Sequence, residues 1–199
     1  MSEAVPDLNL FMMCRRLNRD ALSDLPPGFH LRLCRPDELD LWKDMQLLNT
    51  GGTPRSYIDG YFTKWYAPKG DLFFQRCTFA CNAEDEPVGS AFLWKQYDLY
   101  TTVHWVKVLP DYEGRGLGRA LLSHLLRDLP SADYPVYLHT HPSCNRAVKL
   151  YSDFGFALLS EPALIDGRSN DVAEALPFLQ RLMPEADFRR LRLVRPDEE

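Results

Sequence analysis

The chain has 199 residues, 45% of them hydrophobic and 26% charged, with a net charge of −5. These proportions suit one globular domain with a sizeable core, and the negative balance leaves no general basic footprint for nucleic acid. No run of about 18 apolar residues occurs, so no membrane span is expected. The N-terminal stretch MSEAVPDLNLFMMCRRLNRD lacks the basic start and cleavage site of a signal peptide, which predicts a cytoplasmic location.

Phe11–Arg15 reads as a short strand. Pro26-Pro27-Gly28 is a turn, and Phe29–Cys34 alternates as a strand does. A helix is expected from Arg35-Pro36-Asp37-Glu38, with Asp37 as its cap, Leu39, Trp42, Met45 and Leu48 at helical spacing, and Gly51-Gly52 as its end. Pro54 opens a second helix carrying Tyr57, Tyr61, Phe62 and Trp65 to Pro68. Strands are expected over Leu72–Asn82, Val88–Gln96 and Thr101–Leu109, with Glu84-Asp85-Glu86-Pro87 as a hairpin turn whose acids read as tip charges. Leu117–Leu129 is a helix with a wide leucine stripe. Pro135–His141 is a strand. Ser143 caps a helix through Phe154 that Gly155 stops, and Phe156–Leu159 is a short strand. Beyond it, Asp171–Met183 reads as a helix interrupted by Pro177, Phe188–Val194 as a helix end or last strand, and the terminal Pro-Asp-Glu-Glu as frayed. From Phe29 the order is β-α-α-β-β-β-α-β-α-β. That order predicts an α+β fold with a mixed, mostly antiparallel central sheet of six to seven strands and helices on both faces.

The five cysteines, Cys14, Cys34, Cys77, Cys81 and Cys144, form an odd set with no secretory signal and read as reduced thiols. Cys77 and Cys81 on one strand would stand roughly 13 Å apart, too far to share an ion. His139 and His141 lie on one strand face about 6.6 Å apart, but no third ligand is evident in the sequence, so no metal is expected.

The segment VKVLPDYEGRGLGRALL, Val106–Leu122, runs from a strand through a glycine alternation into a leucine-rich helix. The first N–H groups of a helix have no intrahelical partner and carry partial positive charge, and glycines let an anion approach them. Two nucleotide patterns fail here. No Gly-Lys-[Ser/Thr] follows the glycines, and the sixth position of G-x-G-x-x-G is Arg119 counted from Gly114 or Leu121 counted from Gly116. What remains is x-x-Gly116-x-Gly118 after a strand, flanked by Arg115 and Arg119. A second pattern lies downstream, Asn145-Arg146-Ala147-Val148-Lys149-Leu150-Tyr151-Ser152-Asp153-Phe154-Gly155-Phe156.

Together these resemble the GCN5-related N-acetyltransferase family. The first resembles its [Q/R]-x-x-G-x-[G/A] motif, and the second matches every fixed position of N-x-x-A-x-x-x-Y-x-x-x-G-F. The resemblance covers about Phe29 to Ser160. It implies one acetyltransferase domain over residues 1–199, with a core at about 29–160, an N-terminal strand or arm at 1–28 and a C-terminal extension at 161–199. It implies acetyl-CoA as co-substrate. Backbone amides in the turn, over Glu113, Gly114, Arg115, Gly116, Leu117, Gly118, Arg119 and Ala120, would hold the pyrophosphate. The strand at Val108 and Leu109 would take the pantetheine arm, with one N–H polarising the thioester carbonyl. Asn145 would bind the arm, and Tyr151 would protonate the leaving thiolate, a role open to a phenol of pKa near 10. Glu113 departs from the family's Gln/Arg, and a carboxylate facing a pyrophosphate is unfavourable.

For a general base the matching stretch offers Thr102 and His104, and His104 has the suitable ordinary pKa. Bland alternatives stand beside each of these: a core or surface role for His104, a partly buried helix aromatic for Tyr151, solvated arginines for Arg115 and Arg119. Tyr57, Tyr61, Trp65, Tyr66, Tyr97 and Tyr100 supply aromatic surface for an acceptor or pack the helices. The expectation is an acetyl-CoA-dependent N-acetyltransferase acting by direct attack on a primary amine of a small molecule or peptide, as a monomer or homodimer. A non-catalytic acyl-CoA-binding or regulatory module of the same fold is the competing reading.

Overall fold

A computed structural model of the protein describes residues 6–48, 50, 52–161, 164, 165 and 167–197. Gly51 of the expected helix stop and the terminal Glu198-Glu199 lie outside them. In chain order the elements are β1 (Leu10–Cys14), β2 (His30–Leu33), α1 (Leu39–Leu47), α2 (Arg55–Trp65), α3 (Leu72–Arg76), β3 (Thr78–Cys81), β4 (Pro87–Gln96), β5 (Tyr100–Val108), α4 (Leu117–Leu126), β6 (Val136–Thr140), α5 (Asn145–Asp153), β7 (Ala157–Leu159), β8 (Leu164–Ile165), β9 (Arg168–Ser169), α6 (Val172–Leu182), α7 (Glu185–Phe188) and β10 (Leu193–Val194). Hydrogen bonding orders eight strands as β10-β7-β1-β6-β5-β4-β3-β2, against the six to seven expected, and pairs β8 with β9 separately. The fold class is the α+β one expected, with β1–β6, β1–β7, β2–β3 and β3–β4 antiparallel and β5–β6 and β7–β10 parallel.

The chain divides into two compact units. One comprises Met1–Ala21, Gln96–Thr102 and Pro130–Glu199, the other Leu22–Lys95 and Val103–Leu129, so β5 passes from the first into the second after Thr102.

In the second unit, strand alternation sends side chains to two helical layers. Phe79 and Cys81 of β3 and Phe92 and Trp94 of β4 pack with Trp42, Met45, Ile58, Tyr66 and Phe73 of the α1–α3 region. Ala80 and Ala91, one residue out of phase, pack against Leu117 and Leu121 of α4. This is the period of two that splits a strand between faces. Small residues on the α4 side let that helix sit close. A Cβ added at Gly89 would lie 2.9 Å from the Lys107 carbonyl oxygen and 3.4 Å from Leu121 Cδ1.

In the first unit, β1 is buried along its whole length, as a strand paired on both sides with covered faces must be. Its register with β6 runs from Leu10↔Thr140 to Cys14↔Val136. Gly155 closes α5 as expected. Its φ of +99 is accessible to glycine, and a Cβ there would meet the Arg16 carbonyl oxygen at 2.8 Å.

Several local expectations are corrected. Leu72–Asn82 is not one strand: Leu72–Arg76 is a helix, Cys77 caps its end, and the strand begins at Thr78. Phe73 is fully buried in the aromatic cluster, and that packing overrides the apolar run's strand-like look. Asp37 caps nothing. Pro36–Glu38 forms a 3-10 turn ahead of α1, and the Glu38 carboxylate accepts the Arg35 N–H at 2.8 Å instead. Ser143 lies within a 3-10 turn, Pro142–Cys144, with Cys144 at the N-cap of α5. The helix after the glycine turn ends at Leu126 rather than Leu129. In the tail, α6 runs through Pro177, which forfeits one helical hydrogen bond, and Leu193–Val194 is a strand, β10.

Candidate active site

The glycine turn belongs to the second unit and begins where β5 ends. Leu109 donates its N–H to the Val88 carbonyl at 2.8 Å. Successive N–H groups of a strand point to opposite edges, so the Val108 N–H faces away from β4. Pro110–Tyr112 then makes one 3-10 turn. Gly114 and Gly116 follow with φ of +76 and +88. Gly116 is the N-cap of α4, and no side chain caps that helix. The amides of its first turn therefore have no acceptor within the helix. Gly114, Arg115 and Gly116 are exposed, whereas Leu117 and Ala120 anchor the helix in the core. A left-handed backbone at two glycines thus turns the chain from a strand into a helix whose amide end faces outward.

The charged residues around this turn are arranged less simply than their spacing implies. Arg115 folds back, its guanidinium 5.0 Å from the Tyr112 ring centre and donating to the Asp111 carbonyl at 3.0 Å. Tyr112 is itself held by Phe29, edge-on at 6.0 Å, and by Asn82 Nδ2 at 3.3 Å from its hydroxyl. Glu113 is exposed, and Arg119 is half-buried in the first turn of α4.

His104 lies on the same strand. Its Nδ1 is 2.6 Å from the hydroxyl of Tyr66, and its ring is 5.6 Å from that of Phe92. The next residue, Trp105, also reaches Tyr66, donating its indole N–H to the same hydroxyl at 2.8 Å, and stands edge-on to Trp42 at 5.8 Å. Two consecutive residues on one face cannot occur in a regular strand. The break is at Trp105, whose φ is +51, the left-handed conformation of a bulge. Tyr66 is fully buried, and burial holds its phenol well above the ordinary value. From the sequence Tyr66 reads as part of an aromatic acceptor wall or as helix packing, and its complete burial is the packing alternative. Its role beside His104 joins residues 38 positions apart, and nothing local marks it.

The second signature lies in the first unit. Asn145 opens α5 and is half-buried, its Nδ2 3.4 Å from the Ser143 carbonyl. Tyr151 is 6% exposed with its ring 6.0 Å from Phe156, and burial pushes its phenol up, so it stays protonated through neutral pH. Thr102 sits in the short parallel ladder Thr101↔Val136, Thr102↔Tyr137.

The sequence-level metal candidates are engaged otherwise. His139 Nε2 meets Asn9 Oδ1 at 2.9 Å. His141 Nδ1 is 3.1 Å from the Leu8 carbonyl and 3.0 Å from Asp7. Cys77 and Cys81 are buried core thiols. Among the described residues, His30, Cys81 and Asp85 bring donor atoms within 4.8 Å of one another. Asp85, however, already receives Arg32 at 2.7 Å, Arg35 at 2.9 Å and His30 at 2.9 Å. Two guanidiniums beside the carboxylate oppose a cation, so the group reads as an ion-pair hub at the β3–β4 turn. Asp85 is thus more than the tip charge expected of it.

Comparison with known proteins follows this geometry. The family model described as Acetyltransferase (GNAT) family matches residues 42–156. The chain is 34% identical over 84 residues to the ribosomal protein bS18-alanine N-acetyltransferase of Escherichia coli strain K12, and equally to that of Shigella flexneri. Each match covers 38% of this chain and 55% of the relative, so the chain spans about half the length of the curated relatives it matches. Among solved structures, a GNAT-family acetyltransferase from Colwellia psychrerythraea aligns with a TM-score of 0.54 at 15% identity, over 79% of this chain and 55% of that one. A GCN5-related N-acetyltransferase-like protein from Streptococcus suis aligns with a TM-score of 0.51 at 14% identity, over 79% and 60%. At such identities the likeness is one of fold. Among the described residues no helix is long and apolar enough to cross a membrane.

Proposed function

This chain belongs to the acetyltransferase (GNAT) family, and on that premise we propose that it moves the acetyl group of acetyl-CoA to a primary amine by direct attack on the thioester. The observation that carries the reading is the uncapped N-terminus of α4, entered through two left-handed glycines directly after β5. It is a preformed anion site of the kind a pyrophosphate occupies. In this reading the Leu109 N–H is spent on Val88, which leaves the Val108 N–H to polarise the thioester carbonyl. That is an oxyanion-type donor fixed by the strand. The pantetheine arm adds to β5 as an extra strand would, and Asn145 hydrogen-bonds it.

The chemistry needs two proton movements. The amine nitrogen bonds to the acetyl carbon and the carbon–sulfur bond breaks. His104 takes the proton that the attacking nitrogen sheds, and Tyr151 supplies one to the departing thiolate. Burial raises the Tyr151 phenol above its ordinary value and so makes it a weaker acid, and in this reading the thiolate charge developing beside it favours the transfer. Glu113, exposed beside the turn, turns to solvent in this reading and leaves the amides to the phosphates.

The curated relatives act on an alanine of a ribosomal protein, which supports a peptide amine as the acceptor. The test is release of free CoA from acetyl-CoA across peptides beginning with alanine, amino acids, polyamines, aminoglycosides and other small amines. Release with one class identifies the acceptor. Acetyl-CoA binding with no release on any of them supports the non-catalytic acyl-CoA-binding module instead.

A further inference from the structure

Asp7, Leu8 and Asn9 precede β1, and the register Leu10↔Thr140 carries them past the end of β6. There each of them offers an oxygen to a histidine ring. His141 Nδ1 is 3.1 Å from the Leu8 carbonyl and 3.0 Å from the Asp7 carboxylate. His139 Nε2 is 2.9 Å from Asn9 Oδ1. The two rings meet edge-on at 4.7 Å. All of these residues belong to the first unit.

The oxygens fix where the hydrogens are. A carbonyl and a carboxylate oxygen only accept, so Nδ1 of His141 carries a hydrogen. The neutral ring then has its basic lone pair on Nε2. Among the described residues no hydrogen bond reaches that nitrogen, and the side chain is 34% exposed. The neighbouring ring is held by the same logic. The Asn9 NH2 group donates to the Asp171 carboxylate at 3.2 Å, which leaves Oδ1 to receive the His139 N–H. A histidine whose second nitrogen donates to a fixed acceptor is oriented as a general base is. For His141 the Leu8 carbonyl, which is backbone, fixes the ring, and the exposed Asp7 supplies the charge.

The proposed reaction has room for such a base. An amine in neutral water is an ammonium. It must lose one proton before it can attack and a second once its nitrogen has bonded to the acetyl carbon. His104 takes the second. We propose that Nε2 of His141 takes the first, with Asp7 as its positioning residue. The inference rests on reading the chain as an acetyltransferase whose cofactor arm lies at Asn145. One 3-10 turn, Pro142–Cys144, separates His141 from that residue. As the ammonium N–H bond breaks, its electron pair stays on the amine nitrogen and the proton joins Nε2. The imidazolium keeps its Nδ1–H on Asp7 and Leu8, and its exposed edge returns the proton to water.

The first readout needs no acceptor. NMR of the full chain with isotope-labelled histidine, His141 assigned by its loss in His141→Gln, shows which nitrogen of the neutral ring carries the hydrogen. Nδ1–H is expected, and Nε2–H overturns the proposal. The second readout is the pH profile of kcat/KM with the amine that releases CoA. His141→Gln loses about tenfold or more below the amine's own pKa. The deficit closes above it, at about pH 8 for the α-amine of a peptide, where the acceptor arrives neutral. Asp7→Asn follows the same pattern at roughly two- to fivefold, the scale of an exposed ion pair, and its exposed position keeps the test open if His141→Gln does not fold. A merely structural loss is equal at every pH, so a flat deficit, or none, overturns the role of His141. It leaves the transferase reading standing. Failure of every amine to release CoA overturns that reading, and this role with it.

Discussion

Replacing Gly116 with alanine separates a ligand site from a mere turn. A Cβ there meets only Pro26 Cγ, at 3.6 Å, which is ordinary contact and costs nothing. The backbone is another matter, since a φ of +88 costs an L-residue about 1–2 kcal/mol. Gly70→Ala is the control. It has a φ of +59 and a ψ of −132 with nothing within 4 Å, a backbone region closed more firmly to an L-residue than the left-handed one, so it carries at least as much strain without touching the β5–α4 turn. At 2–4 °C per kcal/mol for a chain of this size, Gly116→Ala melts about 2–8 °C below wild type without ligand, and Gly70→Ala at least as far below it. Acetyl-CoA at about 100 times its dissociation constant adds about 2.7 kcal/mol to the wild type, roughly 5–11 °C. A methyl group between the anion and the α4 amides that weakens binding tenfold removes about 1.3 kcal/mol of that at the same concentration, roughly 3–5 °C. Thermal melts of the three proteins with and without acetyl-CoA measure the difference directly. If Gly116→Ala keeps the ligand-induced rise seen in Gly70→Ala, the pyrophosphate does not lie on this turn.

Tyr151→Phe is expected to keep the acetyl-CoA-induced rise in melting temperature and to lose roughly tenfold or more in turnover, the scale of one missing proton donor; steady-state kinetics with the acceptor found by CoA release checks it, and an unchanged kcat removes Tyr151 from the reaction. Gly89→Ala forces a Cβ to 2.9 Å from the Lys107 carbonyl oxygen, and moving backbone in a packed sheet costs about 1–3 kcal/mol; a denaturant midpoint equal to wild type would show that β4 and β5 can part at little cost. Arg32 first, then His30 and Arg35, hold the Asp85 carboxyl below its ordinary 3.8. A depressed carboxylate contributes stability above its unfolded pKa and loses it as pH falls through the folded one. The wild-type melting temperature should therefore drop on acidification below about pH 4, and Asp85→Asn should flatten that part of the curve. Equal acid slopes in the two proteins would mean the hub contributes nothing to the pH dependence.

What could be read from the sequence is what sits close together in it. The α4 stripe, the glycine turn, the Gly155 stop and the alternation of β3 and β4 each follow from residues within one or two turns of chain, where period and backbone freedom act directly. The α3 helix was misread for a related reason. Leu72-Phe73-Phe74 is apolar enough for a strand, and its helical state is decided by Phe73 sitting edge-on to Trp42 and Phe62 at 4.8 Å and 5.1 Å, contacts the local pattern cannot show. Asp85 likewise looks like any hairpin-tip acid until Arg32 and Arg35 are brought onto it by the pairing of β2 with β3.

His104 shows where local reading ends and why. Strand alternation predicts that His104 and Trp105 point to opposite faces, and on that rule at most one of them could touch the α2 layer. Both do, because a non-glycine residue holds a positive φ in mid-strand. Such a conformation costs on the order of 1–3 kcal/mol and persists only where its surroundings over-determine it. Here the surroundings are identifiable: the Trp105 indole is fixed by the Tyr66 hydroxyl and by edge contacts with Trp42 and Tyr61 at 5.8 Å and 5.4 Å. The aromatic residues of α1 and α2, which read as either an acceptor wall or helix packing, therefore act on β5 in a third way. They hold the bulge that brings His104 and Trp105 to one phenol, and so the packing of the helical layer and the protonation of the candidate base are one structural problem.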